Sequence, residues 1–170
     1  MTTIPIARIP DNSNFLQTTK YTFIIPELPF ARYFCQSVNL PGVNTTEVAI
    51  NTPFATTYRH GDKLAYDSLT MSVLVDEDFR VWEETYKWLV SLTKPTKFPE
   101  YVKNRPNKLP YYDGVLTMNT NANLPNLRIK YTDCHPVSIG GIQFSAADSA
   151  DTTPVFDITF RYDVFFIERF

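Results

Sequence analysis

From Phe156 to Phe166 the chain alternates without a break. Phe156, Ile158, Phe160, Tyr162, Val164 and Phe166 take one set of positions, and Asp157, Thr159, Arg161, Asp163 and Phe165 take the other. A period of two sends successive side chains to opposite faces, so this segment is extended with one face to bury. Its eleven residues exceed the usual strand length of about five or six. Phe156, Ile158, Phe160, Tyr162 and Val164 are expected to face a core. Asp157, Thr159, Arg161 and Asp163 cannot all be buried unpaired and must face water, a channel or another polar surface. The spacing of Arg161 and Asp163 also permits charge pairing along that face.

Other segments repeat the pattern. Ser68–Val75 alternates, with Leu69, Met71, Val73 and Val75 on one side, and Leu127, Ile129 and Tyr131 do the same. Tyr21–Ile25 reads as a strand stopped by Pro26 and Pro29. Ala31–Val38 reads as a second, ended by Leu40-Pro41-Gly42, where Pro-Gly fits a type II turn with Gly at positive φ. Glu47–Asn51 is a third candidate, and 52–67 reads as a loop or loose hairpin. Asp113-Gly114 is expected to turn the chain into Val115–Thr120, and Ile142 and Phe144 to begin another short strand. Residues 1–19 are polar and read as an arm; 94–113, with Pro95, Pro99, Pro106 and Pro110 among five basic residues, reads as an extended surface loop.

One helix is expected. Asp76, Glu77 and Asp78 offer acceptors and negative charge to its start, and Lys94-Pro95 ends it. At about 100° per residue, Phe79, Trp82, Tyr86, Leu89 and Val90 form one stripe, and Val81, Trp88 and Leu92 form a second beside it. The apolar sector then spans about 200°, more than one sheet needs. The second stripe is covered either by a long loop or by another protein chain; in the latter case Val81, Trp88 and Leu92 form a subunit interface.

The chain has 170 residues, enough for one domain with a real core. Aromatics reach 15%, with 13 Pro against 5 Gly, which favours strands joined by stiff turns over a helical bundle. Net charge is −2 with no basic stripe, so nothing suggests a grip on a phosphate backbone. Cys35 and Cys134 are too few for a disulfide framework and read as free thiols in a reducing compartment. The N-terminus lacks a signal-peptide pattern, and no apolar run approaches the ~20 residues a membrane helix needs. No catalytic constellation emerges. Asp133-Cys134-His135 holds three ligand types, but no second cluster completes a metal site. Cys134 and His135 point to opposite faces of a strand and are poorly placed as a nucleophile–base pair. Five glycines at this spacing build no phosphate loop. No catalytic residue, metal or cofactor is expected. A soluble β-rich domain remains, with a polar arm, a doubly apolar helix and an over-long last strand, features that suit assembly.

The ordered set of motifs resembles the tail tube proteins of contractile-tailed bacteriophages. It comprises Leu40-Pro41-Gly42, the block Asp67–Glu77 leading into a helix with Trp82 and Trp88, Asp133-Cys134-His135-Pro136, Ile139-Gly140, Phe144-Ser145 and Phe156–Tyr162. The resemblance covers about residues 20–167; the 94–113 segment fits it less well. It implies a mainly β fold: two packed antiparallel sheets, a β-sandwich or barrel, with one flanking α-helix. Residues 20–170 would form one tail-tube domain behind the arm 1–19. It also implies hexameric rings stacked into a tube, with the inner strands forming one barrel around a channel for DNA. Asp157, Thr159, Arg161 and Asp163 would then be channel-facing or at an outer subunit contact. The implied partners are further copies of the chain, the tail sheath protein, and baseplate and tail-terminator proteins, with DNA only in passage. The implied location is the virion tail, assembled in the host cytoplasm. Other readings are a baseplate tube initiator or an injection- or secretion-system inner tube of the same fold, a monomeric β-sandwich binding module, and a small enzyme on a β-scaffold.

Overall fold

The computed structural model describes residues 14–93, 111–147, 149 and 153–170. The helix-ending Lys94-Pro95, most of the 94–113 segment and residues 1–13 of the arm lie outside them. In chain order the elements are β1 (Tyr21–Ile24), α1 (Ala31–Phe34), β2 (Cys35–Val38), β3 (Val43–Asn51), β4 (Thr56–Tyr66), β5 (Leu69–Leu74) and α2 (Arg80–Leu92). Then follow β6 (Tyr112–Asn119), β7 (Pro125–Ile139), β8 (Val155–Arg161) and β9 (Phe165–Arg169).

The fold is mainly β, with antiparallel sheets. β7 organises it. Its first half, Leu127–Tyr131, pairs with β6 on one side and β9 on the other. Its second half, His135–Ile139, pairs with β8. The strand orders are therefore β1-β6-β7-β9 and β2-β5-β8-β7, two sheets sharing one strand. Between the halves Asp133 takes φ 53, a left-handed conformation that Asp tolerates better than most residues. Register shifts flank this bend, between Tyr112 and Gly114 of β6 and between Pro136 and Ser138 of β7.

The core fills the space between the sheets. Phe23, Leu116, Ile129 and Tyr131 come from the first sheet, and Leu69, Met71, Val73, Phe156, Ile158 and Phe160 from the second. Each such side chain contributes about 1.5–3 kcal/mol. The alternation expected of 68–75 and 127–131 is present, with Leu69, Met71, Val73 and Tyr131 all at 0% exposure.

The structure corrects several expectations. The terminal alternation is two strands: Tyr162–Val164 turns the chain out of the second sheet, and β9 joins the first, leaving Phe166 55% exposed. Residues 31–34 form a single helical turn, because successive tight turns (Leu28 N–H to Ile25 O, Ala31 N–H to Leu28 O) carry the chain past both prolines and bury Leu28 and Ala31. Glycines 42 and 114 do not adopt positive φ. A Cβ at Gly42 would lie 2.6 Å from Asp67 Oδ2, so a larger residue there would displace the Asp67 carboxylate. Gly114 lies inside β6, where a Cβ would meet Cys134 Sγ at 3.3 Å, so it serves close packing and not a turn. Ile142 and Phe144 belong to no strand, and Phe144 is 77% exposed.

The break at Tyr162–Val164 makes the two ends of the old alternation unequal. Phe160→Ala should cost about 3–5 kcal/mol in urea unfolding, as a large buried aromatic. Phe166→Ala should change stability by less than about 1 kcal/mol. Equal losses would mean that both sit in one continuous core strand.

Candidate functional site

Two regions of the described chain stand out: the β3–β4 hairpin, which exposes apolar side chains, and the polar outer face of the second sheet. The helix, the first candidate from sequence, is not among them.

The proposed interface stripe is turned inward. Val81 is at 0% exposure and Trp88 at 3%, both inside the chain's own core. The Trp88 ring lies 5.4 Å from Tyr112 and 6.1 Å from Phe160, and Leu92 packs partly buried on the same core. Thr85 and Ser91 share the buried face, and their hydroxyls donate back to Val81 O and Trp88 O, each at 2.7 Å. These polar residues disguise the true inner face, which runs Val81, Thr85, Trp88, Leu92 at helical spacing. The other stripe is half-buried: Phe79, Trp82 and Tyr86 form a ladder with centroids 5.1 and 5.5 Å apart, Trp82 packs against the core and Tyr86 is half exposed. Asp76 caps α2 as expected, accepting the Arg80 N–H at 2.9 Å.

Three of the four expected polar positions share one face. Asp157, Thr159 and Arg161 point outward from β8 between buried Phe156, Ile158 and Phe160. Asp163 does not join them: it lies in the bend after β8, where its N–H donates to Thr132 O. Arg161 does not pair along the strand either; its Nη1 donates to Tyr66 O at 3.2 Å. Across the sheet Thr159 faces Thr70 and Ser138, Asp157 faces Ser72, and Arg161 faces His135. Ser72 Oγ donates to Asp157 Oδ1 at 2.5 Å. The outer face is thus rich in hydroxyls, and its Asp and Arg charges cancel.

The hairpin is legible in the sequence only in part: Glu47–Asn51 lies within β3 and a loose hairpin is one reading of 52–67, but neither the length of both strands nor their exposure is foreseen. β3 and β4 run for 9 and 11 residues and form a sheet of their own. Every residue of β3 is exposed, and in β4 only Gly61 and Tyr66 are partly covered. Val48 (53% exposed), Phe54 (98%), Tyr58 and Leu64 stand in solvent. At the tip, Thr52 N–H donates to Ala55 O and Ala55 N–H to Thr52 Oγ1. At Gly61, beside a register shift, a Cβ would fall 2.1 Å from Thr46 Oγ1. At the base, Tyr66 packs edge-on against Tyr162 and Phe165 at 6.0 and 5.6 Å. A two-stranded hairpin alone is marginal in water, and exposed apolar side chains in a group mark an interaction surface. The usable signal was the Thr-, Val- and Ile-rich run 43–51 followed by Thr56-Thr57-Tyr58.

The residues with chemical potential do not converge. Cys134 is fully buried and its thiol is pushed up to about 12 by that burial, which suppresses the thiolate. Burial also raises Cys35, and both cysteines are free. His135 Nδ1 lies 3.3 Å from the Asp133 carbonyl, and Asp133 is exposed. Among the described residues no group of three or more His, Cys, Asp or Glu is placed to hold a metal, and no helix is long and apolar enough to cross a membrane.

The described chain is thus a two-sheet β domain with exposed apolar side chains on one hairpin. The chain belongs to the phage tail tube protein family, whose model matches residues 9–168. Family and fold are those of structural tube proteins of phage tails and injection systems, not of enzymes, and they make the chain a virion or particle tail component. The fold is similar to the tube-terminating cap of the anti-feeding prophage, at TM-score 0.65, 14% identity and coverage of 96% of this chain and 97% of that one. It is also similar to a chain of the sheath–tube complex of the extracellular contractile injection system PVC (TM-score 0.60, 12% identity, 93% and 94% coverage). A third similarity is to Hcp1 from Salmonella typhimurium (TM-score 0.50, 12% identity, 88% and 85% coverage). No curated protein sequence matches the chain.

One acidic group outside these surfaces gives a pH test. Glu84 Oε2 is buried with no hydrogen-bond partner among the described residues. Desolvation first, then the Glu27 and Asp76 charges, raises the Glu84 carboxyl above its ordinary value. The folded state therefore binds its proton more tightly than the unfolded state. The stability this provides is full below the ordinary carboxylate range and is lost as pH rises through the raised value. Glu84→Gln should raise the Tm at pH 7 and leave it nearly unchanged at pH 4. Equal effects at both pH values would contradict the shift.

Proposed function

We propose that the chain is a subunit of an inner tube, with six copies closing into a ring and rings stacking around a lumen through which DNA or another polymer passes. The hairpin is the observation that carries this reading. About twenty residues of paired but uncovered strand make sense when a second copy of the chain covers them, and Val48, Phe54, Tyr58 and Leu64 supply the apolar surface. The outer face around Thr70, Ser72, Asp157, Thr159 and Arg161 suits a lumen wall, being hydrated and close to neutral. A sheath, a baseplate and a terminator are the partners such a tube needs. The arm 1–19 engages the neighbouring ring; its residues 14–19 are exposed. A cap or tube initiator is the second reading, favoured by the similarity to a tube-terminating cap.

Negative-stain microscopy of the purified protein separates these. A tube subunit gives rings and stacked tubes, a cap or initiator gives single rings, and a monomeric module gives neither. Replacing residues 47–60 by a short turn should leave a folded protein that no longer stacks. Normal tubes from that variant would remove the hairpin from the assembly.

The lumen wall has its own test. In a Cys35→Ser background, a cysteine at Thr159 in assembled tubes should react with a small thiol reagent and resist a bulky one. Equal labelling by both would place this face outside.

A further inference from the structure

The two sheets leave the sandwich unfinished at both flanks, in complementary ways. At one flank stand β1 and β2, the end strands of the two sheet orders. No strand pairing joins them. One side chain spans the gap: Tyr21 OH donates to Gln36 O at 2.8 Å and lies 3.9 Å from Cys35 Sγ. Between the strands is a cleft of about 770 Å³, walled by residues 16–19 of the arm and by Phe23, Val38, Leu40 and Met118 among others. Phe23 is otherwise a core residue and Val38 and Met118 pack against the core, so the cleft opens into the space between the sheets.

At the opposite flank stands β9, which among the described residues pairs only with β7. Its outer edge offers unpaired backbone N–H and C=O groups, the kind of edge that proteins cover or that recruits another strand. Ile167 is the telling residue. It lies opposite Ile129, which is 1% exposed, and so points to the inner side of the sheet. Yet Ile167 is 61% exposed, because the second sheet does not extend over it. Phe166 and Phe170 flank it at 55% and 71% exposure.

We propose that β9 of one copy docks along the β1–β2 cleft of the next copy, bringing Ile167 to the apolar cleft wall. This rests on the ring reading above and specifies which flanks meet. An inner-face side chain without cover at one flank matches a cleft into the inner space at the other. Within one chain the two flanks lie at opposite ends of the strand order, so β9 reaches such a cleft only in a second copy. The contact is heterologous, each copy giving one flank and receiving the other, the kind of contact that generates a ring where the rotation between copies closes. It joins strand addition at an edge to apolar side-chain insertion, the usual division between affinity and register.

Cross-linking tests it. Leu40 at the cleft rim is 56% exposed, so cysteines at Leu40 and Ile167 should both leave the fold intact. They are introduced in a Cys35→Ser background; Cys134 is fully buried. With a short bis-maleimide, assembled particles of the double variant should give a ladder of covalent multimers, and either single variant should give none. As a second measurement, Ile167→Lys should keep the monomer Tm and lose rings. Rings that form without a ladder, or rings that survive Ile167→Lys, overturn this flank assignment and leave the ring reading standing. A wild-type protein that forms no rings overturns both.

Discussion

Backbone pairing along β7 is the constraint on which the other features depend. This strand hydrogen-bonds to β6 and β9 through its first half and to β8 through its second. A strand of 15 residues cannot serve two facing sheets without bending. Asp133 supplies the bend with a left-handed backbone, in which most residues would be strained by about 1–2 kcal/mol. The residues beside it are placed by that bend. Tyr131 and Cys134 go fully inside, Thr132 bridges to Val164 at the β8–β9 turn, and His135 faces outward opposite Arg161. The apparent metal triad Asp133-Cys134-His135 is a strand corner whose three side chains leave in different directions.

Sharing one strand also explains why the sandwich stays open. With β7 closing one side, the sheets diverge toward β1 and β2, where Tyr21 makes a side-chain bridge in place of a ladder. β9 meanwhile extends the first sheet past the reach of the second. A monomer left in this state carries sticky edges, which natural proteins cover, charge or pair. Covering them by copies of the same chain costs no extra sequence.

What the sequence made legible follows burial. β5 and the start of β7 bury one face inside the chain, so their alternation is written in Leu69, Met71, Val73, Ile129 and Tyr131. The hairpin buries neither face, so its residues answer to no internal pattern, and 52–67 reads only as a loop or loose hairpin. The last segment misleads for the opposite reason: Phe156 to Phe166 keeps period two across a turn, because β8 and β9 each have an inner and an outer face. On α2 the difficulty is chemical. Thr85 and Ser91 occupy the buried face with hydroxyls satisfied by backbone carbonyls, which an apolar count cannot register. The family resemblance reached further than these local patterns because it drew on order and spacing across the chain.

The chemistry of the outer sheet face bears on what a lumen built from it would do. Serine and threonine hydroxyls exchange bonds with water at little net cost. A polymer sliding past Thr70, Ser72 and Thr159 would therefore trade equivalent contacts at every step and meet no deep minimum. Binding to a polyanion grows with the number of phosphates that basic groups neutralise. Here Arg161 is the one Lys or Arg among these positions and it is occupied by the Tyr66 carbonyl, while Asp157 is held by Ser72. In a lumen built from this face the single Arg161 charge would be balanced by Asp157, with no cluster of basic groups to retain a polyanion. The face is thus suited to conduct a chain without retaining it, which is a property of the cross-strand pairing of β5 and β8 and not of any single residue.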